Sequence, residues 1–300
     1  MTYPITFGQA AGLRAGAMFS LSMCSIVAVA IAMPGCAPRA RPQPDTIRVV
    51  SLAPSLTEIV AMLSGTNLLV GRTSACDYPP EVASIPVVGG FGTPSLERLA
   101  SVRPSLVLDV DLEDESIGRK LRELGIRRER VACRTLADIP AAIRTVGRLL
   151  SLEDAAEKRA SEIERQVAAM EKEIASLTNK PSVFVEIWND PLMTAGRNSF
   201  ISDIVRLAGG INAGDDAEND YFRVSGEWVV NKNPDVIVCL YMSQSNGAAD
   251  MVRKREGWQT VKAVRNGAVY DGFDNNVMLR PGPRIMDAVI ALRRAIGVMK

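Results

Sequence analysis

Short apolar runs alternate with amphipathic segments along most of the chain. Runs rich in β-branched residues, such as IRVVSLA at 47–53 and PDVIVCL at 234–240, are bounded by Pro or polar residues, which predicts buried strands. Segments such as PSLTEIVAMLSG at 54–65 and SFISDIVRLAGG at 199–210 have apolar residues at helical spacing and end at Gly, which predicts helices. Strands that alternate with helices predict parallel sheets covered on both faces.

The middle of the chain contains one long polar segment without Gly or Pro, from Ser151 to about Leu177. Its apolar side chains recur at alternating spacings of four and three: Ile163, Val167, Met170, Ile174 and Leu177. This period predicts one amphipathic helix of about 27 residues, roughly 40 Å long. A coiled coil would need a longer run of heptads.

We interpret residues 151–179 as a helix connecting an N-terminal α/β lobe, residues 47–150, to a C-terminal α/β lobe, residues 180–300. The predicted fold class is therefore α/β. It has two lobes with mainly parallel sheets covered by helices, joined by one long rigid α-helix.

Two stretches of the chain share one design, SLERLASVRPSLVL at 95–108 and SGEWVVNKNPDVIV at 225–238. Their alignment places Glu97 over Glu227, each two residues after a Ser able to cap a helix and seven before a Pro. Helix chemistry alone accounts for one such Glu. Its recurrence predicts two equivalent carboxylates, one per lobe, suited to docking a two-fold symmetric partner through Arg side chains.

The first 35 residues have the pattern of an export signal. Arg14 precedes a run of uncharged residues, 15–35, that ends directly at Cys36. Residues 36–46 contain APRARPQP, which forms no regular element and is typical of a tether. The alternative is a retained membrane anchor, because the uncharged run is long enough to span a bilayer.

The sequence MPGC at 33–36 resembles the lipobox of bacterial lipoproteins. This resemblance implies that residues 1–35 are a lipoprotein signal peptide and that Cys36 becomes the lipid-bearing N-terminus. We therefore expect an exported protein in the periplasm or at the cell surface, held to a membrane by lipid.

The charge and composition exclude several kinds of function. Lys and Arg number 35 against 34 Asp and Glu, with no block of like charge, so we expect no nucleic-acid partner. The chain has no His, which excludes Ser-His and Cys-His catalytic machinery. Its 5 Cys form no CxxC pair, so neither a zinc site nor a disulfide framework is indicated. We expect no catalytic residue, no metal site and no cofactor.

An acidic run, DVDLEDE at 109–115, offers one alternative from a different class of function. Its carboxylates, Asp109, Asp111, Glu113 and Asp114, have the spacing of Ca²⁺ or Mg²⁺ ligands, or of acid/base groups in an exported enzyme. The preferred interpretation is a solvated loop leading into a helix, where acidic residues favour the helix start.

The chain resembles the class III periplasmic binding proteins of ABC importers, which carry cobalamin, ferric siderophores and haem. The resemblance lies in SLERL and SGEW and in three further motifs: RVVSLAPSLTEIV at 48–60, CDYPPEV at 76–82 and RPGPRIMDAV at 280–289. It implies a monomer that binds its ligand between two lobes. It also implies that Glu97 and Glu227 engage Arg residues of a permease dimer, which works with its ATPase.

Candidate ligand-binding residues lie in the loops that follow the predicted strands, where parallel α/β sheets bind their ligands. They are Asp77, Tyr78, Phe91, Trp188, Met193, Tyr221, Phe222, Phe273 and Arg280. Aromatic faces suit a large macrocycle such as a corrin. Phe91 and Tyr221 each lie six residues before their Glu and resemble positions where cobalamin binders place aromatics around the corrin. An arginine at Arg280 would bind an anionic group of the ligand.

CDYPP and RPGPR most resemble the cobalamin-binding branch, so the expected ligand is cobalamin or a related corrinoid. One position departs from that branch, since Val110 stands where its cobalamin binder has another aromatic. A ferric siderophore or haem is the alternative. Without His, haem iron would require Tyr or Met as its ligand.

Overall fold

A computed structural model describes residues 47–110, 115–241 and 247–298. The proposed signal peptide, the tether and Cys36 lie outside these residues, as do Asp111, Glu113 and Asp114. Within the described ranges, no helix is both long enough and apolar enough to cross a membrane.

The first half of the body builds a six-stranded sheet with helices between its strands. Its elements are β1 (Val49–Ser51), α1 (Pro54–Met62), β2 (Leu69–Thr73), β3 (Val87–Gly90), β4 (Thr93–Pro94), α2 (Leu96–Ser101), β5 (Leu106–Asp109), α3 (Glu115–Glu123) and β6 (Arg127–Arg130). The strand order is β4-β3-β2-β1-β5-β6. All neighbours are parallel except β3 and β4, which form a short antiparallel pair at one edge.

Two helices follow this sheet, α4 (Asp138–Leu150) and α5 (Glu153–Ala175). The predicted long helix is therefore 23 residues, about 35 Å, and begins later than predicted. Ser151 adopts φ 57° and ψ 45°, a left-handed conformation that ends α4 before α5 begins. The Arg144 guanidinium on α4 binds both Glu157 and Glu164 on α5, at 2.8 and 2.6 Å.

The second half builds another six-stranded sheet. Its elements are β7 (Ser182–Asn189), β8 (Leu192–Ala195), α6 (Phe200–Ala208), β9 (Ile211–Asn212), β10 (Tyr221–Arg223), α7 (Gly226–Lys232), β11 (Val236–Cys239), α8 (Ala248–Arg253), α9 (Lys262–Arg265), β12 (Val269–Tyr270), α10 (Asn275–Met278) and α11 (Ile285–Ala295). The order is β10-β8-β7-β11-β12, with β9 also on β7. β7 and β8 form an antiparallel hairpin, and β8 pairs antiparallel with β10.

The two similar sequence stretches occupy equivalent places in the two sheets. Each begins with a Ser that caps a short helix, α2 or α7, and continues into a strand, β5 or β11. That strand pairs in parallel with the first strand of its own half, β1 or β7. The two sheets differ at the other neighbour of their first strands. β2 pairs in parallel with β1, whereas β8 pairs antiparallel with β7.

One apolar core runs through both halves of the body. It contains buried side chains from β1, β5, β7 and β11 and from six helices, α1, α4, α5, α6, α10 and α11. Alternate strand residues point the other way into separate clusters, with Val50 and Val107 in one and Phe184 and Ile237 in the other. Both sheets are therefore covered on both faces, as predicted. Since close-packed cores resist deformation, we expect the two halves to move little against each other.

Candidate ligand-binding site

A cleft of about 660 Å³ lies where loops from both halves of the body meet. The first half contributes residues 53–55, which follow β1, and Val110, which follows β5, together with Ala75, Phe91 and segment 133–138. The second half contributes segments 198–200, 220–221 and 275–281. The cleft therefore includes the carboxyl ends of β1 and β5, as predicted for a parallel sheet.

Phe91 and Tyr221 line this cleft from opposite halves of the chain. Their side chains are 49% and 43% exposed, which is unusual for large aromatic residues. Phe91 lies in the tight turn between β3 and β4, where Gly92 adopts a φ of +75° that favours glycine. Tyr221 is the first residue of β10 and pairs with Ala195. The sequence repeat thus predicted two aromatics that the fold brings to one cleft.

Arg280 also reaches the cleft, but its charge is already matched. Its guanidinium contacts the Asp77 carboxylate at 2.6 Å and the buried Glu58 carboxylate at 3.4 Å, and it donates to the carbonyl of Ala75 and to Asn276. The Arg280 hydrogen bond holds the pKa of Asp77 below its ordinary value. This network disfavours Arg280 as an open anion-binding group.

Tyr78 contacts the same ion-pair network around Glu58 but does not line the cleft. The Arg284 guanidinium lies 3.9 Å from the centre of the Tyr78 ring and donates two hydrogen bonds to Glu58, at 2.8 and 2.7 Å. Asp77 and Tyr78 therefore contact the two arginines of the last segment, and neither lines the cleft described here.

Four further predicted residues do not line this cleft. Trp188 and Met193 face each other across the β7–β8 hairpin, and the Trp188 indole donates to the Asp190 carbonyl at 2.7 Å. Phe222 packs edge-on against Trp228, with ring centres 6.0 Å apart, and Phe273 packs against the main core. Residues after β7 were predicted to bind ligand because loops that follow parallel strands form such sites. The chain after β7 instead turns back in an antiparallel hairpin.

The polar part of the cleft was not predicted from the sequence. Arg134 contacts Asp220 at 2.7 Å and so joins the two halves of the wall. Asp138 accepts hydrogen bonds from the backbone N–H groups of Arg134 and Thr135. Burial alone would raise the pKa of Asp138, but these donors outweigh it and the pKa lies below its ordinary value. These residues follow β6, a strand of four charged residues with no apolar alternation to reveal it.

Two acidic groups of the cleft keep their protons at neutral pH. Burial raises the pKa of Cys133 to about 12, and its thiol donates to the Pro281 carbonyl at 2.9 Å. Partial desolvation in the cleft wall and the neighbouring Asp220 raise the pKa of Tyr221 to about 12. Among residues that the structure describes, no group of three or more Cys, Asp or Glu side chains is placed to hold a metal ion.

The buried thiols give a direct test of this packing. A protein that begins at Ala37 retains Cys76, Cys133 and Cys239, all buried. Because burial raises the pKa of Cys133 and Cys239 to about 12, we expect both to react with Ellman's reagent at pH 8 about 1000-fold more slowly than in the unfolded chain. Unfolding in guanidinium should release all three. A native thiol that reacts rapidly and disappears in Cys133→Ser would contradict the buried position of Cys133.

The family model described as periplasmic binding protein matches residues 49–275, which includes both sheets and most of the cleft. The chain belongs to the periplasmic binding protein family. The predicted membership in the class III group and the predicted fold, two lobes joined by a long helix, are confirmed. Members of this family are binding proteins rather than enzymes, and the family indicates a location outside the cytoplasm.

Three relatives illustrate the similarity. An ABC transporter substrate-binding lipoprotein of Bacillus subtilis is 29% identical, over 83% of this chain and 79% of that relative. A vitamin B12-binding protein of Vibrio cholerae is 28% identical, over 81% of this chain and 86% of that protein. The solved structure of a periplasmic haem-binding protein of Roseiflexus sp. RS-1 in apo form superposes with a TM-score of 0.75 at 29% identity, over 84% of this chain and 98% of that one.

Proposed function

We propose that this periplasmic binding protein captures cobalamin or a related corrinoid and delivers it to an ABC importer. The observation that carries the proposal is the pair of exposed aromatic side chains, Phe91 and Tyr221, on a cleft shared by both halves of the body. A flat macrocycle with large apolar faces gains most from contact with such aromatic surfaces. The similarity to vitamin B12-binding proteins supports the same ligand.

The charges around the cleft also favour a bulky ligand with little net charge. Arg134 is paired with Asp220, and Arg280 with Asp77, so neither guanidinium offers an unmatched positive charge. The amides of Asn198 and Asn276 add neutral groups to the wall, which suit a corrin that carries amide side chains. An anionic chelate would have to displace one of these ion pairs.

Haem is the second candidate, because a haem-binding protein is among the similar structures. It is disfavoured by the available ligands for iron. The chain has no His, and no Met among the residues that the structure describes lines the cleft. Tyr221 would have to lose a proton whose pKa is raised to about 12. A ferric siderophore is the third candidate within the same family.

The partner in this proposal is a permease dimer with its ATPase. Glu97 and Glu227 are exposed in the first turns of α2 and α7 and form no ion pair with any described residue, so each is free to meet an arginine. The helices are held in place by Ser95 and Ser225, whose side chains accept from the N–H groups of Arg98 and Trp228. Lipidation at Cys36 would keep this monomer at the membrane that contains the permease.

The proposal is tested by calorimetric titration of the protein from Ala37 onward with cyanocobalamin. We expect one-to-one binding, weakened about tenfold by Phe91→Ala and by Tyr221→Ala because each removes one aromatic contact with the corrin. Glu97→Ala should leave the affinity unchanged, since Glu97 does not line the cleft. An absence of cyanocobalamin binding would overturn the corrinoid assignment, and the same cleft would then be titrated with ferric siderophores and haemin.

A further inference from the structure

The first sheet has a strongly basic edge, although its charges come from separate segments of the chain. Six exposed cations lie on α3, on β6 and beside the amino ends of β1 and β5: Arg48, Arg103, Arg119, Lys120, Arg122 and Arg127. We call these residues, together with Leu124, the basic edge. Residues 116–130 contain two carboxylates beside these cations, Glu123 and Glu129. The excess of positive charge is local, because the chain from Ala37 onward has 34 basic and 34 acidic residues once Arg14 is left out.

The fold gathers these cations at the amino ends of three neighbouring strands, β1, β5 and β6. In the pairing of β5 with β6, Arg127 lies opposite Leu106, the first residue of β5. The carbonyl of Arg48, just before β1, accepts from the Leu106 N–H at 3.1 Å. The Arg48 guanidinium also donates to the Arg103 carbonyl at 3.0 Å, beyond the end of α2. The last turn of α3 reaches the same place, because a short turn leads from it into Arg127.

Most of the charges of the basic edge are unmatched. Four of them form no ion pair with any residue that the structure describes: Arg103, Arg119, Lys120 and Arg122. Arg127 contacts Glu129 at 2.7 Å, but the two side chains are 61% and 35% exposed, so water screens the pair. The Arg48 guanidinium donates to neutral carbonyl groups, which leave its charge uncompensated. The basic edge therefore attracts anionic groups.

An apolar side chain lies on the same surface. Leu124 is 53% exposed, whereas Leu121, one turn earlier, is fully buried in an apolar cluster of the first half. Gly125 follows with a φ of +67° and turns the chain toward β6. Cations that surround an exposed leucine are typical of a surface that binds a bilayer, where the charges meet headgroups and the leucine reaches the acyl boundary.

The place where the tether joins the body favours a membrane as the partner of this surface. Ten residues, 37–46, separate Cys36 from the first described residue, Ile47, and they span at most about 35 Å. They join the body directly before Arg48, which belongs to the basic edge. A lipid on Cys36 would therefore keep the basic edge within about 35 Å of the bilayer surface.

We propose that the basic edge binds the anionic phospholipid headgroups of the membrane that holds the tether. Its guanidinium groups donate to phosphate oxygens, and Leu124 inserts beside them. The cleft includes the carboxyl ends of β1 and β5, so this contact leaves it open on the side away from the membrane. Glu97 lies in the first turn of α2, at the other end of that helix from Arg103. The body therefore leaves the lipid surface and turns before it docks, which separates capture from delivery. This inference rests on the proposed tether at Cys36.

The test is co-sedimentation of the protein from Ala37 onward with phosphatidylcholine vesicles that contain phosphatidylglycerol, at low salt. We expect saturable binding that falls at least tenfold on pure phosphatidylcholine vesicles and at roughly 0.2 M salt, because the attraction is electrostatic. A triple variant with Arg119→Gln, Lys120→Gln and Arg122→Gln should bind at least tenfold more weakly. Leu124→Ala should weaken binding about threefold, since it removes only the apolar contact.

The matched control removes three exposed cations outside the basic edge, through Lys172→Gln, Lys254→Gln and Arg265→Gln. None of the three forms an ion pair with a described residue, so this variant has the same net charge as the first and should still bind the anionic vesicles. Equal losses in the two triple variants, or no preference for anionic vesicles, would overturn the inference. The experiment uses neither cobalamin nor a lipid on Cys36. Its failure therefore leaves the corrinoid assignment standing, and a failure to bind cyanocobalamin leaves the membrane contact standing.

Discussion

Replacing Gly196 with Ala is expected to weaken ligand binding at least tenfold, although Gly196 itself does not line the cleft. A Cβ atom at this position would lie 1.9 Å from the carbonyl oxygen of Asn219 and 2.9 Å from that of Ala217. The Gly196 N–H also donates to the Asp220 carbonyl at 2.9 Å. The added methyl must therefore push away the backbone that carries Asp220 and Tyr221 into the cleft, which also lowers stability by about 1–3 kcal/mol.

Gly272→Ala is the matched control for this substitution. Nothing lies within 4 Å of a Cβ at Gly272, and its φ is not in the left-handed region, so the methyl causes neither a clash nor strain. Calorimetry with cyanocobalamin gives the affinities, and urea unfolding gives the stabilities independently of the ligand. Equal affinity in the Gly196→Ala and wild-type proteins would mean that the position of Tyr221 does not control binding.

The strands that the sequence predicted most clearly are those buried on both faces. β1, β5, β7 and β11 are runs of apolar β-branched residues because helices cover both faces of each sheet. The unpredicted β6 is an edge strand with the sequence RRER, whose residues are all charged; its two end residues are exposed, and the Arg128 side chain pairs with the buried Asp109. An edge strand of this kind has no apolar pattern, so only its pairing with β5 identifies it.

The sequence did not predict α4, because the role of one of its residues depends on packing against another helix. It contains Pro140 in its first turn, where proline is tolerated, and Gly147 in its last, where sequence reasoning places a helix end. A Cβ at Gly147 would lie 2.3 Å from the Cβ of Ala156 on α5. Gly147 is thus the residue that allows α4 and α5 to pack closely, and that requirement is tertiary.

The candidate site also contains both residues that the sequence predicted and residues that it did not. Phe91 and Tyr221 were predictable because the sequence repeat fixed each at the same distance from its Glu. Arg134 and Asp220 lie far apart in the chain and meet only through the arrangement of the two halves. Such a contact depends on tertiary structure, so no local sequence pattern predicts it.

Replacing Glu58 with Ala is expected to destabilise the protein by about 3–5 kcal/mol, since it removes one member of a buried ionic cluster. The Glu58 side chain is 3% exposed and is held by Arg284 at 2.7 Å and by Arg280 at 3.4 Å, with those side chains 17% and 14% exposed. Without Glu58, two partly buried guanidinium groups lose a shared carboxylate. Urea unfolding at constant m-value measures the loss as a lower midpoint.

The control for Glu58→Ala is an exposed ion pair. Asp250 and Arg253 are 68% and 42% exposed and lie 2.8 Å apart, so Asp250→Asn should change the stability by less than about 0.5 kcal/mol. A loss below about 1 kcal/mol in Glu58→Ala would show that water solvates the two arginines once the carboxylate is gone. Glu58→Gln, which keeps acceptor and shape but not charge, should lie between the two.

The Glu58 cluster also explains why two distant sequence motifs occur together. Glu58 belongs to RVVSLAPSLTEIV near the start of the body, and both arginines belong to RPGPRIMDAV near its end. Their contact attaches α1 to the segment that carries Leu279, Arg280 and Pro281 into the cleft. If the cluster holds this wall in place, Glu58→Ala should weaken cyanocobalamin binding under conditions where the variant is still fully folded, whereas Asp250→Asn should not.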